Sequence, residues 1–132
     1  MNVLVIDDNQ IDLLINQRVI LNLRPTAHVV SCLSGIEGLK FIEQCISGGI
    51  CEQFPDLILL DIRMPLMDGY EFLDKMLDMI KHCEKRPFVV MVTSSIDTGD
   101  YEKSQTYPEV KGYLSKPLKQ TAMLEILEKL NF

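Results

Sequence analysis

One stretch near the middle of the chain constrains the fold more than any other. Residues 57–60 are four consecutive apolar side chains, and such a run predicts a strand buried on both faces, as in the parallel sheets of α/β domains. Asp61 follows directly, and Met64-Pro65 and Asp68-Gly69 then provide turn chemistry. Asp61 is therefore predicted to lie at the carboxyl end of a central strand. Open α/β sheets bind their ligands at that edge, so Asp61 is a candidate site residue.

Segments typical of strands and helices alternate along the rest of the chain. Apolar and β-branched runs predict the other strands at Val3–Ile6, His28–Leu33, Phe88–Val92 and Val110–Leu114. Helical spacing, caps and stop signals predict helices over roughly residues 10–23, 35–47, 70–83, 97–107 and 119–130. Five successive strand-then-helix units predict an α/β domain with a parallel sheet, right-handed crossovers and helices on both faces.

The first predicted helix is apolar on more than one side. One stripe at helical spacing is predicted to face the core and consists of Ile11, Leu14, Ile15 and Val19. Leu13 and Ile20 fall on the opposite side of the helix at about 100° per residue, so we expect them to be exposed. Two hypotheses remain for them. They are singly exposed apolar residues of the kind common on protein surfaces, or they form a docking patch for a partner protein.

Length and charge limit the classes of protein that need to be considered. With 132 residues the chain fits one domain over residues 1–132, and we expect no output domain. The net charge of −6 argues against direct binding of nucleic acid, which requires a basic surface. No apolar run approaches the ~20 residues of a membrane span, and Asp7 and Asp8 interrupt the N-terminal run, so we expect neither membrane insertion nor a signal peptide. The expected location is the cytoplasm.

The cysteines and histidines do not form a recognisable metal or disulfide pattern. The four cysteines are Cys32, Cys45, Cys51 and Cys83, and no two of them have the C-x-x-C spacing. His28 and His82 stand far apart in the sequence. Reduced and mostly buried thiols are therefore predicted.

Polar side chains follow the predicted strands at the points where those strands end. They are Asp7, Asp8, Asp61, Thr93 and Lys116. Because parallel strands end at the same edge of a sheet, we expect these side chains to converge. Three neighbouring carboxylates repel one another, and a hard divalent cation such as Mg²⁺ relieves that repulsion. A nucleophilic carboxylate, a metal, a hydroxyl and a lysine are together what phosphoryl transfer to an aspartate requires.

At this point the chain resembles the receiver domains of bacterial two-component response regulators over essentially its whole length. The motifs that carry the resemblance are Asp7-Asp8, Asp61 followed by Met64-Pro65 and Asp68-Gly69, Thr93-Ser94, Tyr113, and Lys116-Pro117. The resemblance implies a flavodoxin-like, doubly wound fold with a five-stranded parallel sheet in the order 2-1-3-4-5. It also implies a phosphoprotein of signal transduction that acts in a phosphorelay.

The resemblance further implies a role for each site residue. Asp61 accepts a phosphoryl group from a phosphohistidine. Asp8, Asp61 and the backbone carbonyl of Arg63 ligate Mg²⁺, and Asp7 acts through a water molecule. The Arg63 side chain flanks the site, and its effect on the lifetime of the phosphoryl group is open.

The remaining implied roles concern binding of the phosphoryl group and switching. Lys116 binds one phosphoryl oxygen and Thr93 another, after which Tyr113 turns inward and remodels the face made by helix four, strand five and helix five. The Lys116–Pro117 peptide bond is expected to be cis. The implied partners are a sensor histidine kinase or a histidine phosphotransfer protein, and a downstream protein target.

Two other classes of function remain as alternatives to a stand-alone receiver. Aspartyl-phosphate phosphohydrolases also use an aspartate at a strand end with Mg²⁺, but they carry a second carboxylate two residues later, where this chain has Arg63. A pseudo-receiver that binds partners without phosphorylation is the second alternative. The presence of Asp61, Thr93 and Lys116 argues against it. We therefore expect a protein that is not a turnover enzyme.

Overall fold

Five strands form a single parallel sheet in the computed structural model, which describes residues 1–132. The strands are β1 (Asn2–Ile6), β2 (His28–Cys32), β3 (Leu57–Leu60), β4 (Phe88–Thr93) and β5 (Val110–Ser115). Their order across the sheet is β2-β1-β3-β4-β5. This confirms the order 2-1-3-4-5 and places β3 at the centre, with β1 beside it.

Five helices connect the strands. They are α1 (Gln10–Leu23), α2 (Gly35–Ser47), α3 (Gly69–Met79), α4 (Thr98–Ser104) and α5 (Gln120–Lys129), with one turn of 3₁₀ helix at Cys51–Gln53. Asn9 caps α1 and Ser34 caps α2, each through a side-chain oxygen that accepts backbone N–H groups. Helix α3 ends at Met79, four residues before the predicted Cys83. None of these helices combines the length and the apolar character that crossing a membrane requires.

The sheet separates two apolar layers, because successive side chains of a strand point to opposite faces. Leu57 and Leu59 of β3 pack with α1 and α5, whereas Ile58 and Leu60 pack with α2 and α3. All four are fully buried. A strand with two buried faces requires the uninterrupted apolar run that the sequence shows.

Helix α1 buries a different face from the predicted one. Ile20 is fully buried and Leu13 packs half-buried against the α1/α5 layer, whereas Ile11 and Leu14 are 71% and 55% exposed. The prediction for these four residues is therefore wrong. The physical reason is Asn16, a polar residue that is 2% exposed and lies within the buried face, so the apolar spacing alone selected the wrong side. A docking patch formed by Leu13 and Ile20 is excluded.

Candidate functional site

The carboxyl edge of the sheet brings the predicted site residues together. Asp7 and Asp61 immediately follow the neighbouring strands β1 and β3, and the backbone N–H of Asp61 donates to the carbonyl of Ile6 at 3.1 Å. On the other side, the N–H of Lys116 donates to the carbonyl of Thr93 at 3.0 Å. Parallel pairing thus holds four strand ends at one edge, where the side chains of Asp7, Asp61 and Lys116 meet.

Lys116 is the centre of that pocket. Its ammonium nitrogen Nζ lies 2.7 Å from Asp7 Oδ2, 3.0 Å from Asp61 Oδ2 and 3.0 Å from Asp12 Oδ2. The side chain of Lys116 is only 11% exposed, and those of Asp7 and Asp61 are buried. The three ion pairs are therefore poorly screened by solvent. Although burial alone lowers the pKa of Lys116, contacts with the three carboxylates raise it above its usual value.

Asp7, Asp8 and Asp61 form an acidic cluster in which one carboxylate oxygen of each lies within 4.8 Å of the others. Burial raises the pKa of Asp7, the nearby Asp61 carboxylate adds to the rise, and contacts with Lys116 and the Asn9 N–H partly oppose it. Asp7 Oδ2 is buried and faces the ammonium Nζ of Lys116 at 2.7 Å. Lys116 therefore supplies the positive charge that this oxygen meets.

The charge balance of the pocket suits a divalent cation. Asp7, Asp8, Asp12 and Asp61 bring four carboxylates, and Lys116 is the only cation in contact with them among the observed ion pairs. Carboxylate oxygens are the hard ligands that Mg²⁺ prefers, and exposed Asp8 opens the cluster to solvent. The residues present therefore fit Mg²⁺. The position of the Arg63 carbonyl as a ligand stays a prediction.

The loop after β3 fixes the backbone of Asp61. The N–H of Ile62 donates to Asp61 Oδ1 at 2.8 Å, and the N–H of Gly69 donates to the Ile62 carbonyl at 2.8 Å. A Cβ at Gly69 would lie 2.3 Å from the backbone oxygen of Asp61, so only glycine fits there. Asp68 caps α3 in a reciprocal capping box with Glu71, a role that the sequence analysis assigned only to turn chemistry. Asp68 and Gly69 thus allow helix α3 to begin in close contact with the backbone of Asp61.

Thr93 and Tyr113 lie on the β4/β5 side of the site. Thr93 is 1% exposed, and its Oγ1 accepts a hydrogen bond from the Ser95 N–H at 3.1 Å. The Tyr113 hydroxyl is buried without a hydrogen-bond partner, and its ring packs edge-on against Tyr101 with 5.3 Å between centroids. Burial raises the pKa of Tyr113, so the hydroxyl remains protonated at neutral pH. Tyr113 is thus directed into the protein beside α4.

The side chain of Arg63 is directed toward α4. Its Nη2 lies 2.6 Å from Asp100 Oδ2 and 4.0 Å from Asp97 Oδ2. Asp100 also accepts a hydrogen bond from Ser95 Oγ at 2.6 Å, and its backbone carbonyl accepts one from the Tyr70 hydroxyl. Arg63 therefore connects the β3–α3 loop to the first turn of α4.

Two acidic residues of this region were not predicted from sequence. Asp12 contacts Lys116, and its position on α1 falls between Asn16 and Val19 on the buried face of that helix. A helical projection centred on the buried face of α1 would have predicted that Asp12 points toward the sheet. Asp100 gives no such signal, because α4 is short and its contact with Arg63 depends on the tertiary fold.

Two exposed apolar residues, Ile11 and Leu14, lie on α1. Asp12 on the same helix reaches Lys116 at 3.0 Å. The apolar spacing of α1 predicted Ile11 and Leu14 on the buried face, and the structure exposes them instead.

Comparison with known families gives one match that covers most of the chain. A family model described as the response regulator receiver domain matches residues 3–128. An uncharacterized response regulatory protein from Staphylococcus epidermidis is 31% identical over 100 residues, which make up 76% of this chain and 34% of that protein. The chain thus spans about a third of the length of that relative.

Solved structures give the same result over almost the whole chain. A two-component response regulator from Cytophaga hutchinsonii is 28% identical with a TM-score of 0.85, and the match covers 99% of this chain and 97% of that one. A response regulator receiver domain protein from Methanospirillum hungatei is 26% identical with a TM-score of 0.76, covering 98% and 93% of the two chains.

Proposed function

Because the chain belongs to the response regulator receiver domain family, we propose that it accepts a phosphoryl group from a phosphohistidine onto Asp61. Receiver domains in general take up a phosphoryl group in two-component signal transduction and are not turnover enzymes. The observation that carries the assignment to Asp61 is its contact with Lys116, 3.0 Å from Oδ2, inside a buried cluster of acids. The carboxylate of Asp61 can attack phosphorus, and the ammonium group of Lys116 can bind the negatively charged phosphoryl oxygens.

Lys116 places a positive charge against the nucleophilic carboxylate of Asp61, 3.0 Å from Oδ2. Contacts with three carboxylates raise the pKa of Lys116, which keeps the ammonium group charged at neutral pH. In the transfer, an Asp61 oxygen forms a bond to phosphorus, the bond from phosphorus to the histidine nitrogen breaks, and the imidazole leaves. Lys116 then binds a phosphoryl oxygen. Asp7 and Asp12 hold the ammonium in place through ion pairs at 2.7 Å and 3.0 Å.

Asp7, Asp8, Asp61 and the Arg63 carbonyl are the proposed ligands of Mg²⁺. Receiver domains bind this ion in an acidic pocket, and the cluster of carboxylate oxygens within 4.8 Å of one another supports the same site here. When bound, the ion supplies positive charge against the phosphoryl oxygens. Removing one of the three carboxylates removes both a ligand and part of the repulsion that the ion relieves.

Thr93 and Tyr113 are the proposed switch. Thr93 Oγ1 lies at the end of β4 and accepts the Ser95 N–H, which leaves its hydroxyl proton free to be donated to a phosphoryl oxygen. Tyr113 already packs against Tyr101 with its hydroxyl buried, and phosphorylation then holds this inward position beside α4. The face formed by α4, β5 and α5 changes, and a downstream protein reads that change.

The proposed partners follow from the chemistry of the donor. A sensor histidine kinase or a histidine phosphotransfer protein supplies the phosphohistidine, and we propose that it docks over the exposed apolar residues Ile11 and Leu14 of α1, the helix whose Asp12 reaches Lys116. We also propose that this receiver domain acts in the cytoplasm. The four unpaired cysteines suit a reducing compartment.

Intact mass after incubation with acetyl phosphate and Mg²⁺ tests the assignment. We expect a gain of one phosphoryl group that is absent when EDTA replaces Mg²⁺ during the incubation and absent in Asp61→Asn. Asp78→Asn is the matched control, because Asp78 is an exposed acid that pairs only with Lys81. The absence of any mass gain in the unaltered protein, or a gain that persists in Asp61→Asn, would contradict the proposal.

The phosphohydrolase alternative has its own test. At the position two residues after Asp61, the Arg63 side chain pairs with Asp100 and offers no acid to the pocket. We therefore expect no steady release of phosphate from p-nitrophenyl phosphate beyond that of the Asp61→Asn variant. Sustained turnover that depends on Asp61 would favour the enzyme instead.

A further inference from the structure

A second cavity lies at the opposite edge of the sheet from the acidic site. It has a volume of 480 Å³ and is formed by the end of α2, the 3₁₀ turn before β3 and the segment that leads into β4. All of these segments lie at the amino ends of parallel strands. The proposed phosphoryl chemistry does not use this cavity.

Three of the four cysteines of the chain line that cavity. Cys45 is 1% exposed, Cys51 is exposed, and Cys83 is half-buried. The fourth cysteine, Cys32, is buried on β2, and burial raises its pKa to about 11. The chain thus concentrates its thiols in one place and leaves one of them open to solvent.

Cys45 and Cys51 are joined by a short connection that can bring them together. Helix α2 ends at Ser47, and Gly48 and Gly49 follow, with Gly49 in the left-handed region at φ +86. The 3₁₀ turn that starts at Cys51 is held by the backbone hydrogen bonds Gln53 N–H to Ile50 and Phe54 N–H to Cys51. The two cysteines are six positions apart in the chain and line the same cavity.

The two thiols differ in the way that a stepwise oxidation requires. Burial raises the pKa of Cys45, and the nearby Cys51 thiol and Glu52 carboxylate raise it further, so Cys45 is a poor first nucleophile. Cys51 is exposed, and this access to solvent, rather than the contact of its Sγ with Glu52 Oε2 at 3.9 Å, distinguishes it from Cys45. An oxidant from solvent therefore reacts with Cys51 first. Cys45 is the thiol that can then react with oxidised Cys51 to form a disulfide.

We propose that Cys51 and Cys45 form a peroxide-responsive dithiol site. The Cys51 thiolate attacks one oxygen of hydrogen peroxide, the O–O bond breaks, and hydroxide leaves and takes up a proton to become water. Cys51 is then a sulfenic acid. The Cys45 sulfur attacks the sulfenic sulfur, the S–S bond forms, the S–O bond breaks, and the leaving hydroxide combines with the Cys45 proton as a second water. The dithiol loses two electrons, and the peroxide gains them.

Non-reducing peptide mapping of the whole chain after treatment with hydrogen peroxide tests the site. We expect a disulfide between Cys45 and Cys51, with a mass lower by two hydrogen atoms. Cys51→Ser abolishes it. Cys45→Ser leaves a sulfenic acid on Cys51 that dimedone traps, and Cys83→Ser and Cys32→Ser leave the disulfide unchanged.

Three results would overturn the proposal: four intact thiols after treatment, a disulfide that contains Cys83 or Cys32, or equal oxidation in Cys51→Ser. Because Cys45 is buried, its serine variant is checked first by thermal unfolding. Cys51 is exposed, so Cys51→Ser decides the question even where Cys45→Ser is unstable.

Discussion

Arg63 Nη2 lies 2.6 Å from Asp100 Oδ2, so a residue two positions beyond the candidate nucleophile is bonded to the first turn of α4. The two side chains differ in environment, because that of Asp100 is 10% exposed and that of Arg63 is 58% exposed. The buried carboxylate of Asp100 therefore depends on the exposed Arg63 for its compensating positive charge. Ser95, two residues beyond Thr93, donates to the same carboxylate, so both loops that border the pocket hold α4 through Asp100.

Arg63→Gln is expected to destabilise the domain and loosen α4. It leaves the Asp100 carboxylate with Ser95 as its remaining side-chain donor, and an under-satisfied buried acceptor costs about 1–2 kcal/mol. Urea unfolding measures that cost, and amide hydrogen exchange over residues 98–104 localises it. The double variant Arg63→Gln/Asp100→Asn should lose less than the sum of the single variants, with a coupling of about 1 kcal/mol.

The control for this cycle is the ion pair between Lys81 and Asp78. Its N–O distance is 3.4 Å, and its side chains are 57% and 77% exposed. Lys81→Gln is expected to change stability by less than about 0.5 kcal/mol. Additive effects of the Arg63 and Asp100 substitutions, within error, would show that the contact does not hold α4.

Asp7→Asn is expected to stabilise the metal-free domain while weakening its affinity for Mg²⁺. Burial and the Asp61 charge raise the pKa of Asp7, which means that the ionised form is held at a cost in the fold. Removing that charge relieves the cost, but it also removes a proposed ligand, so Mg²⁺ affinity should fall by at least about tenfold.

Thermal unfolding in EDTA and in Mg²⁺ separates the two effects. The midpoint of Asp7→Asn should lie above that of the unaltered protein in EDTA, and the increase on adding Mg²⁺ should be smaller. Asp8→Asn is the matched control, because Asp8 is exposed and should lose Mg²⁺ affinity without the gain in EDTA. A lower midpoint for Asp7→Asn in EDTA would mean that its ion pair with Lys116 outweighs the cost of burial.

The strands and their order were predictable because the signals for them are local. The run Leu57–Leu60 is buried on both faces, as its uninterrupted apolar character indicates. Acids at the ends of β1 and β3 then meet in the pocket because parallel strands end at one edge. The convergence of Asp7, Asp61 and Lys116 follows from that geometry alone.

The sequence pattern failed where one helix had two candidate faces. On α1, Asn16 occupies the buried face and Ile11 the exposed one, so hydrophobic spacing pointed the wrong way. The error also concealed Asp12, which shares a face with Asn16 and reaches Lys116. The Arg63–Asp100 pair was out of reach for another reason: it joins side chains 37 residues apart and has no periodic signature.

Stability is expected to fall as the pH rises above about 10. Burial, followed by the nearby Tyr113 and Asp100, raises the pKa of Tyr70 from 10.0 to about 12, so the unfolded chain ionises before the folded one. The folded state then holds more protons, and its stability is lost as pH rises between these values. Lys116 and Tyr107, whose pKa values are also raised, contribute with the same sign.

Urea midpoints from pH 9 to 12 measure this loss. Each such group adds a slope that approaches about 1.4 kcal/mol per pH unit within its window. Tyr70→Phe keeps the buried ring and removes the titrating hydroxyl, so its slope should be smaller than that of the unaltered protein. Identical slopes would show that Tyr70 does not ionise differently in the two states.

Gly69→Ala is expected to disturb the site through the backbone. The added Cβ would lie 2.3 Å from the backbone oxygen of Asp61 and 3.1 Å from the Cα of Ile62, and neither atom belongs to a flexible side chain. The strand end or the start of α3 has to shift, at a cost of about 1–3 kcal/mol. Because Asp61 is part of the displaced segment, phosphorylation by acetyl phosphate should slow along with the loss of stability.

Gly99→Ala is the control, since its nearest contact is the end of the Asp97 side chain at 3.1 Å, and it should leave both stability and phosphorylation rate nearly unchanged. A stable Gly69→Ala variant that is phosphorylated at the normal rate would show that the close approach at Asp61 can be relieved without moving the nucleophile.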